Sequence, residues 1–381
     1  MNEMWLHRAD LAESAINERH AQAVWSIPRT NLAVAAWPPH TKEKLFYRWH
    51  YWWQAHYLDC LIDAATRRPT RSRKQRIKET IRGIKVRNFG SFTRNNYYDD
   101  KLWLALALGR AHNLFGLRRP KYLKVLENNI LAGVDPVTSV FPWRVGETFF
   151  NVPTNGPAAI MLARRGNLGQ ARFIIDWIFD NLIDDNGLVM DGIRMSMNGP
   201  EIVKPTHPYC QGVVIGACLE LALRLKNRPD AREDAVIYLA HLRAVVHAVE
   251  KEMATPQGVI DWKTGDGDGG LFKGILVRYL AEVAVRLPDD NEANSATKKI
   301  AKRLVMASAE SLWNHRLEVD GLPVFATDWL ADAKLPHNYG LTTNSLSDFV
   351  RIVRIDERDL SVQLSGWMLL EAAARIAANE K

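Results

Sequence analysis

The chain has 381 residues, 47% hydrophobic and 24% charged, with a formal net charge of +7. That is ordinary globular composition with ample length for a large core, which argues against a disordered or fibrous chain. No apolar stretch approaches the roughly 18 residues a membrane span needs, and the N-terminus MNEMWLHRADLAESAINERH has no basic segment followed by an apolar one, so a cytoplasmic protein without a signal peptide is expected.

Helical periodicity dominates, and strand-like alternation is nearly absent. The predicted helices run over 9–24, 42–66, 72–88, 99–115, 120–132, 155–166, 168–183, 209–226, 231–253, 269–287, 293–315 and 360–377. The second contains FYRWHYWWQAHYLDCLIDA, with His56, Asp59 and Asp63 on one face at i, i+3 and i+7. That face could hold a metal, but a hydrogen-bonded core network is the commoner outcome. Trp52 and Trp53 on the same helix either stack on a flat ligand such as a sugar ring or simply pack. The third helix belongs to a run, Arg67 to Arg87, with ten Lys or Arg against the single acid Glu79. It has no interleaved aromatics for base stacking, so nucleic acid is not the expected partner. A solvated outer face, or weak contact with an anionic surface through residues 67–87, fits better.

The fourth helix opens on NNYYDDKLW, residues 95–103. One aspartate can cap a helix N-terminus and favour its dipole, which leaves a second without that job. Neighbouring Cα atoms lie about 3.8 Å apart, so Asp99 and Asp100 can face one cavity. Retaining glycosidases place two carboxyl groups about 5–5.5 Å apart, and repulsion between them raises one pKa and leaves an acid beside an ionised nucleophile. A DDxxD metal motif does not fit, because Leu104 stands where its third carboxylate belongs. In the sixth helix, Asn155-Gly-Pro157 supplies a capping residue and a proline near the first turn. The eighth is led by THPYCQG, in which His207, Tyr209 and Gln211 either contact a ligand or cap the helix.

The three cysteines suit no zinc pattern; Cys210 and Cys218, on one predicted helix, would stand about 12 Å apart and could not be bridged. Buried thiols in a reducing compartment are expected. The tenth helix is entered through GDGDGGLFKGILVRYL, residues 265–280. Gly270 and Val277 occupy positions where a calcium loop needs oxygen ligands, so the glycines suit either a close backbone approach to a ligand, with Asp266 or Lys273 reaching out, or a flexible cap. Loops at about 133–153, 185–208, 254–268 and 316–358 are rich in Gly, Pro, Trp and His, and function tends to sit in such loops.

Twelve helices as six hairpins make a closed double ring, with apolar inner helices such as LWLALALGRA and CQGVVIGACLELAL and charged outer ones such as NSATKKIAKRLVMASAESLW. No linker divides the chain, so residues 1–381 are expected to form one domain. An open solenoid would show a fixed sequence period, and there is none.

Seven blocks, in order, resemble glycoside hydrolase family 76, the retaining endo-α-1,6-mannanases: YYDDKLWLALAL (97–108), NVPTNGPAAIMLARRG (151–166), GLVMDGI (187–193), YCQGVVIGACLEL (209–221), GDGDGGLFKGILVRYL (265–280), the DW of ATDWL (326–330) and DLSVQLSGWMLLEAAA (359–374). The resemblance implies an (α/α)6 barrel, no metal or cofactor, Asp99 as nucleophile and Asp100 as general acid/base acting on α-mannan or its oligosaccharides. Candidate substrate-binding residues in or near the blocks are Trp52, Trp53, Asn96, Tyr98, Asp191, Tyr209, Gln211, Asp266, Lys273 and Trp329. Two features depart from the family: Cys210 where Asn is frequent, and no signal segment in a mostly secreted family. A transglycosidase sharing the intermediate and a non-catalytic mannan-binding barrel are the alternatives. A sugar epimerase on the same barrel would need paired inner-helix histidines, and none stands out.

Overall fold

The computed structural model describes residues 2–116, 120–336 and 355–380, so the predicted loop 316–358 lies partly outside the described residues. The helices among them are α1 (Asn2–Arg19), α2 (Thr41–Lys44), α3 (Tyr51–Arg67), α4 (Arg71–Arg87), α5 (Tyr98–Phe115), α6 (Lys121–Leu131) and α7 (Val152–Arg164). They continue with α8 (Leu168–Asn181), α9 (Pro208–Leu225), α10 (Arg232–Glu252), α11 (Phe272–Arg286), α12 (Glu292–Asn314) and α13 (Leu360–Ala378).

Hydrophobic pattern sorts these helices into two layers. Every residue of α13 from Leu360 to Ala374 is buried, whereas α4 buries only Ile77, Thr80, Gly83 and Ile84. A helix apolar on all sides must be surrounded, and one with a narrow apolar stripe covers it. Accordingly α3, α5, α7, α9, α11 and α13 pack each on the next, and α13 returns to α3 to close the ring. Outside, α4, α6, α8, α10 and α12 each cover the inner helix that precedes them, and α1 covers α13. The fold is an (α/α)6 barrel. Two glycines set how closely inner helices approach. A Cβ on Gly212 of α9 would lie 2.9 Å from Leu276 Cα of α11, and one on Gly274 of α11 would lie 2.7 Å from Ser365 Cα of α13.

Three sequence expectations need correction. The predicted helix 42–66 breaks after α2, because Phe46 and His50 adopt left-handed backbone and Arg87 donates to the carbonyls of Phe46 (2.8 Å) and Tyr47 (3.4 Å). Strands exist, all short and all in connections: β1 (Ala21–Gln22) with β2 (Leu32–Ala33), β3 (Phe149–Asn151) with β4 (Gly192–Ser196) and β5 (Gly199–Val203), and β6 (Leu317–Val319) with β7 (Leu322–Val324). Finally, α7 begins at Val152 with Pro153 in its first turn, so Asn155 is no cap.

The barrel axis is layered. Because the inner helices run parallel, all their N-termini meet at one mouth. Beneath it Trp103, His56 and Trp52 form an aromatic floor, with ring centroids 4.8 Å (His56–Trp103) and 5.4 Å (Trp52–His56) apart. Below that, Asp59 and Asp63 are held by Arg110 and Arg278, which takes them out of the metal-site reading. The base opens into a cavity of about 1080 Å3 edged by Arg67, Arg224, Arg286 and Arg375 at the C-terminal ends of inner helices, where cations suit the dipole. Among the described residues no helix is long and apolar enough to cross a membrane.

At the mouth, four inner helices use the same device. A buried amide bonds both the N–H and the C=O of one loop residue: Gln54 with Ala33 (3.0 and 2.8 Å), Asn155 with Phe141 (2.9 and 2.8 Å), Gln211 with Val189 (2.8 and 2.8 Å), and Gln363 with Phe325 (3.0 and 2.8 Å). Each also donates to a carbonyl just before its own helix: Trp49, Asn151, His207 and Glu357. Substituting Gln211→Leu leaves the buried Val189 N–H and C=O unpaired, and is expected to cost ~2–4 kcal/mol in urea unfolding. An unchanged midpoint would contradict this role.

Candidate active site

The turn before α5 builds the first wall. Asn95 Oδ1 accepts from Tyr97 N–H (2.8 Å), and this Asx turn delivers the chain into the helix at Tyr98. Asp99 and Asp100 therefore sit in the first turn of α5. Asp99 accepts two hydrogen bonds, from the Asp100 backbone N–H (2.8 Å) and from the Trp143 indole (2.9 Å). Asp100 accepts one, from Asn95 Nδ2 (2.7 Å). Trp143 is placed by backbone pairing, donating to Phe149 O (2.7 Å) while its own O accepts from Tyr98 N–H (2.9 Å).

A third carboxylate faces the pair. Asp268 accepts from both Trp52 Nε1 and Trp53 Nε1, each at 2.9 Å. Trp53 is buried, stacked on His50 at 3.9 Å, whereas Trp52 stays half-buried beside the floor. Tyr209 closes another side, stacked on Phe272 at 3.9 Å with 5° between planes, and Asp191 lies close by with Cys210 Sγ 3.8 Å from its Oδ1.

These neighbours shift the carboxyls upward. Burial, then the Asp100 charge, pushes Asp99 well above its usual range. Burial moves Asp100 up to about 7; the Asn95 hydrogen bond opposes this, and the Asp268 charge adds to it. Asp191 rises to about 6 through burial. A helix N-terminus favours a carboxylate by only about 0.3–1 kcal/mol, less than one pKa unit, so burial and like charge win. Asp99 and Asp100 titrate as a unit and share a proton near neutrality. Such a site can donate a proton from one carboxyl while the other stays an anion.

The remaining predicted residues divide sharply. Gln211 is buried and fully engaged as a loop clamp, so it has no free amide for a ligand. Tyr98 turns outward, its ring 3.9 Å from Lys101 Nζ and against Gly133. Lys273 and Trp329 are both buried and occupy each other, Nζ lying 4.5 Å over the indole, and burial lowers Lys273 to about 8. Asn96 is exposed, and its neighbour Asn95 is the one that reaches Asp100. Asp266 is half-buried, and Asp268 is the member of that loop whose charge acts on the pair. Asn95, Trp143 and Asp268 are thus the additions. Trp143 lies in a loop picked out by composition, and Asp268 in the glycine-rich segment beside Asp266. Among the described residues no group of three or more His, Cys, Asp or Glu is placed to hold a metal.

Residues 29–343 match the model of Glycosyl hydrolase family 76. Among solved structures, the fold superposes on the α-1,6-mannanase from Salegentibacter sp. HEL1_6 with a TM-score of 0.78 and 26% identity, over 98% of this chain and 99% of that one. An inactive variant of that enzyme, with two consecutive aspartates replaced by asparagine, is in complex with α-1,6-mannotriose and superposes with a TM-score of 0.76 at 26% identity, over 98% and 99% of the two chains. The Lin0763 protein from Listeria innocua shares the fold, with a TM-score of 0.78 at 24% identity and 97% coverage of both chains. A search of curated proteins found no match.

Two outcomes follow from the electrostatics. The native fold holds a proton on Asp100 up to about pH 7, whereas an unfolded aspartate loses it near 3.9. The native state therefore binds more protons between those values, and its stability falls as pH rises through that window. Asp100→Asn removes this cost and is expected to raise stability at pH 8 by about 1–2 kcal/mol, discounted for partial exposure. Lower stability of the variant at pH 8 would contradict the shift. Asp268→Asn removes a like charge and should lower the apparent pKa of the pair by roughly half a unit, read from carboxyl 13C shifts.

Proposed function

The chain belongs to glycosyl hydrolase family 76, and on that premise we propose that it is a retaining hydrolase of α-1,6-linked mannosides. Asp99 is the nucleophile and Asp100 the general acid/base. The observation that carries this reading is the unequal provision of donors to two adjacent carboxyls in one cleft. Two hydrogen bonds to Asp99 favour its anion, while Asp100 has one; the Asp268 charge raises both carboxyls and does not choose between them. The relative inactivated at two consecutive aspartates, and bound to α-1,6-mannotriose, supports a functional aspartate pair and the substrate.

In the first step an Asp99 carboxylate oxygen attacks the anomeric carbon. The bond to the leaving oxygen breaks as Asp100 gives that oxygen its proton. A mannosyl ester of Asp99 results, and Asp100 is now an anion. In the second step Asp100 takes a proton from water as the water oxygen attacks the same carbon, and Asp99 departs as carboxylate. Two inversions return the α-configuration. Positive charge developing on the sugar in the transition state of each step faces Asp99 and Asp268. Trp52 and the Tyr209–Phe272 stack offer flat apolar faces for sugar rings. The inner ring is closed by α13 on α3 and covered there by α1, which supports reading residues 1–381 as one catalytic domain.

Incubation with α-1,6-manno-oligosaccharides, followed by the anomeric protons in NMR, is the test. Wild type should release α-product first, and Asp99→Asn and Asp100→Ala should each lose about 10²-fold or more. First-formed β-product would rule out retention. Longer products at high substrate would favour a transglycosidase, and binding without turnover a mannan-binding barrel.

A further inference from the structure

The basic run singled out in the sequence divides in the structure. Arg67 and Arg73 point inward to Asp10, Glu13 and Glu371, and Arg87 is held by loop carbonyls. By contrast, Arg71, Lys74, Lys78, Arg82 and Lys85 follow one another at steps of three or four residues, which places them along one face of α4. All five are exposed, and none has a carboxylate partner among the described residues. Phe89 stands two residues past the end of α4.

Phe89 belongs to an exposed apolar corner. It is 67% exposed, Tyr47 is 73%, Leu45 is 56% and Trp25 is 42%. Trp25 and Phe89 have ring centroids 6.5 Å apart, and Trp25 Nε1 donates to Leu45 O (2.9 Å). The Arg87 guanidinium lies 5.6 Å over Trp25 while bonding Phe46 O and Tyr47 O, so it ties the corner together from beneath. Left-handed backbone concentrates in the loops around this corner. Among the described residues, Trp25, Ser26, Arg29, Phe46, His50 and Phe89 are six of the eight non-glycine residues with positive φ. Bulky residues rarely adopt that backbone without a reason. Arg29, Lys42, Lys44 and Arg48 are exposed around the corner. The acids of these segments are engaged, Glu43 with Arg358 and Glu79 with Gln75.

From this geometry we infer that the corner and the α4 stripe dock the protein on an anionic lipid bilayer. The exposed aromatic and aliphatic side chains of the corner enter the interface, and the cation stripe meets the headgroups. The corner also leads into the cleft. Its loop ends at His50, whose ring stacks on Trp53, the partner of Asp268. Resting on the mannoside reading, docking would set the cleft beside saccharide attached to that membrane.

Sedimentation of the full chain with vesicles tests the docking itself, separately from any turnover. Binding to phosphatidylglycerol-containing vesicles should exceed that to pure phosphatidylcholine by about tenfold or more and weaken with salt. The variants L45S/Y47S/F89S and R82E/K85E should each lose roughly tenfold in vesicle binding, with circular dichroism and hydrolysis of soluble oligosaccharide unchanged. Absence of vesicle binding, equal binding to both vesicles, or indifference to both variants would overturn the proposal. So would loss of α-mannan binding in the aromatic variant with vesicle binding intact, which would make the corner a sugar platform.

Discussion

A side-chain amide bonded to both the N–H and the C=O of one loop residue is the interaction on which the shape of the cleft depends. A helical ring by itself is a cylinder with frayed connections at its mouth, and those connections carry the chemistry. Gln54, Asn155, Gln211 and Gln363 convert four of them into fixed walls, with every bond buried. Buried amides of this kind are strong only when satisfied completely, so each clamp selects one loop position. The consequence reaches the Asp99–Asp100 pair in a short path. Asn155 holds Phe141, two residues along is Trp143, and Trp143 donates to Asp99.

The mouth and the base of the barrel treat charge in opposite ways. At the base, acids and arginines neutralise one another at the C-terminal ends of inner helices, and Asp59 is held below its usual range despite burial, by Arg110 and Arg278. At the mouth, Asp99, Asp100 and Asp268 face each other with hydrogen bonds but, among the described residues, with no ion pair to an arginine. A stability-driven design would pair them. Burial and like charge together raise the proton affinity of Asp99 and Asp100, which is what a group that must give and take a proton near neutrality requires. The fold bears that cost because the closed ring buries so much apolar surface elsewhere.

Much of this was legible in the residues. Apolar runs without polar interruption marked the inner helices, and charged amphipathic runs marked the outer ones. The pair at Asp99 and Asp100 had no second structural job and fell in the most specific of the matching blocks. What escaped was direction. Tyr98, Gln211, Lys273 and Trp329 lie in matching blocks, but a helix turns about 100° per residue, so proximity along the chain does not place a side chain in the cleft. Gln211 carried a readable signal in being an amide inside an otherwise apolar helix, where a buried polar group must find partners. Asp268 and Asp266 were indistinguishable because glycines on both sides leave the loop direction open. The break at Phe46 was hidden by good helical composition, and it depends on Arg87 arriving from a distant part of the chain.

We propose a division of labour between two neighbouring carboxyls, with Asp99 the one that becomes covalently bonded to sugar. The most direct measurement is mass spectrometry of the protein after exposure to a slowly released fluorinated mannosyl fluoride, with fragmentation to locate the adduct. A single mannosyl ester on Asp99 is expected. An adduct on Asp100, or none while the reagent is being hydrolysed, would contradict it.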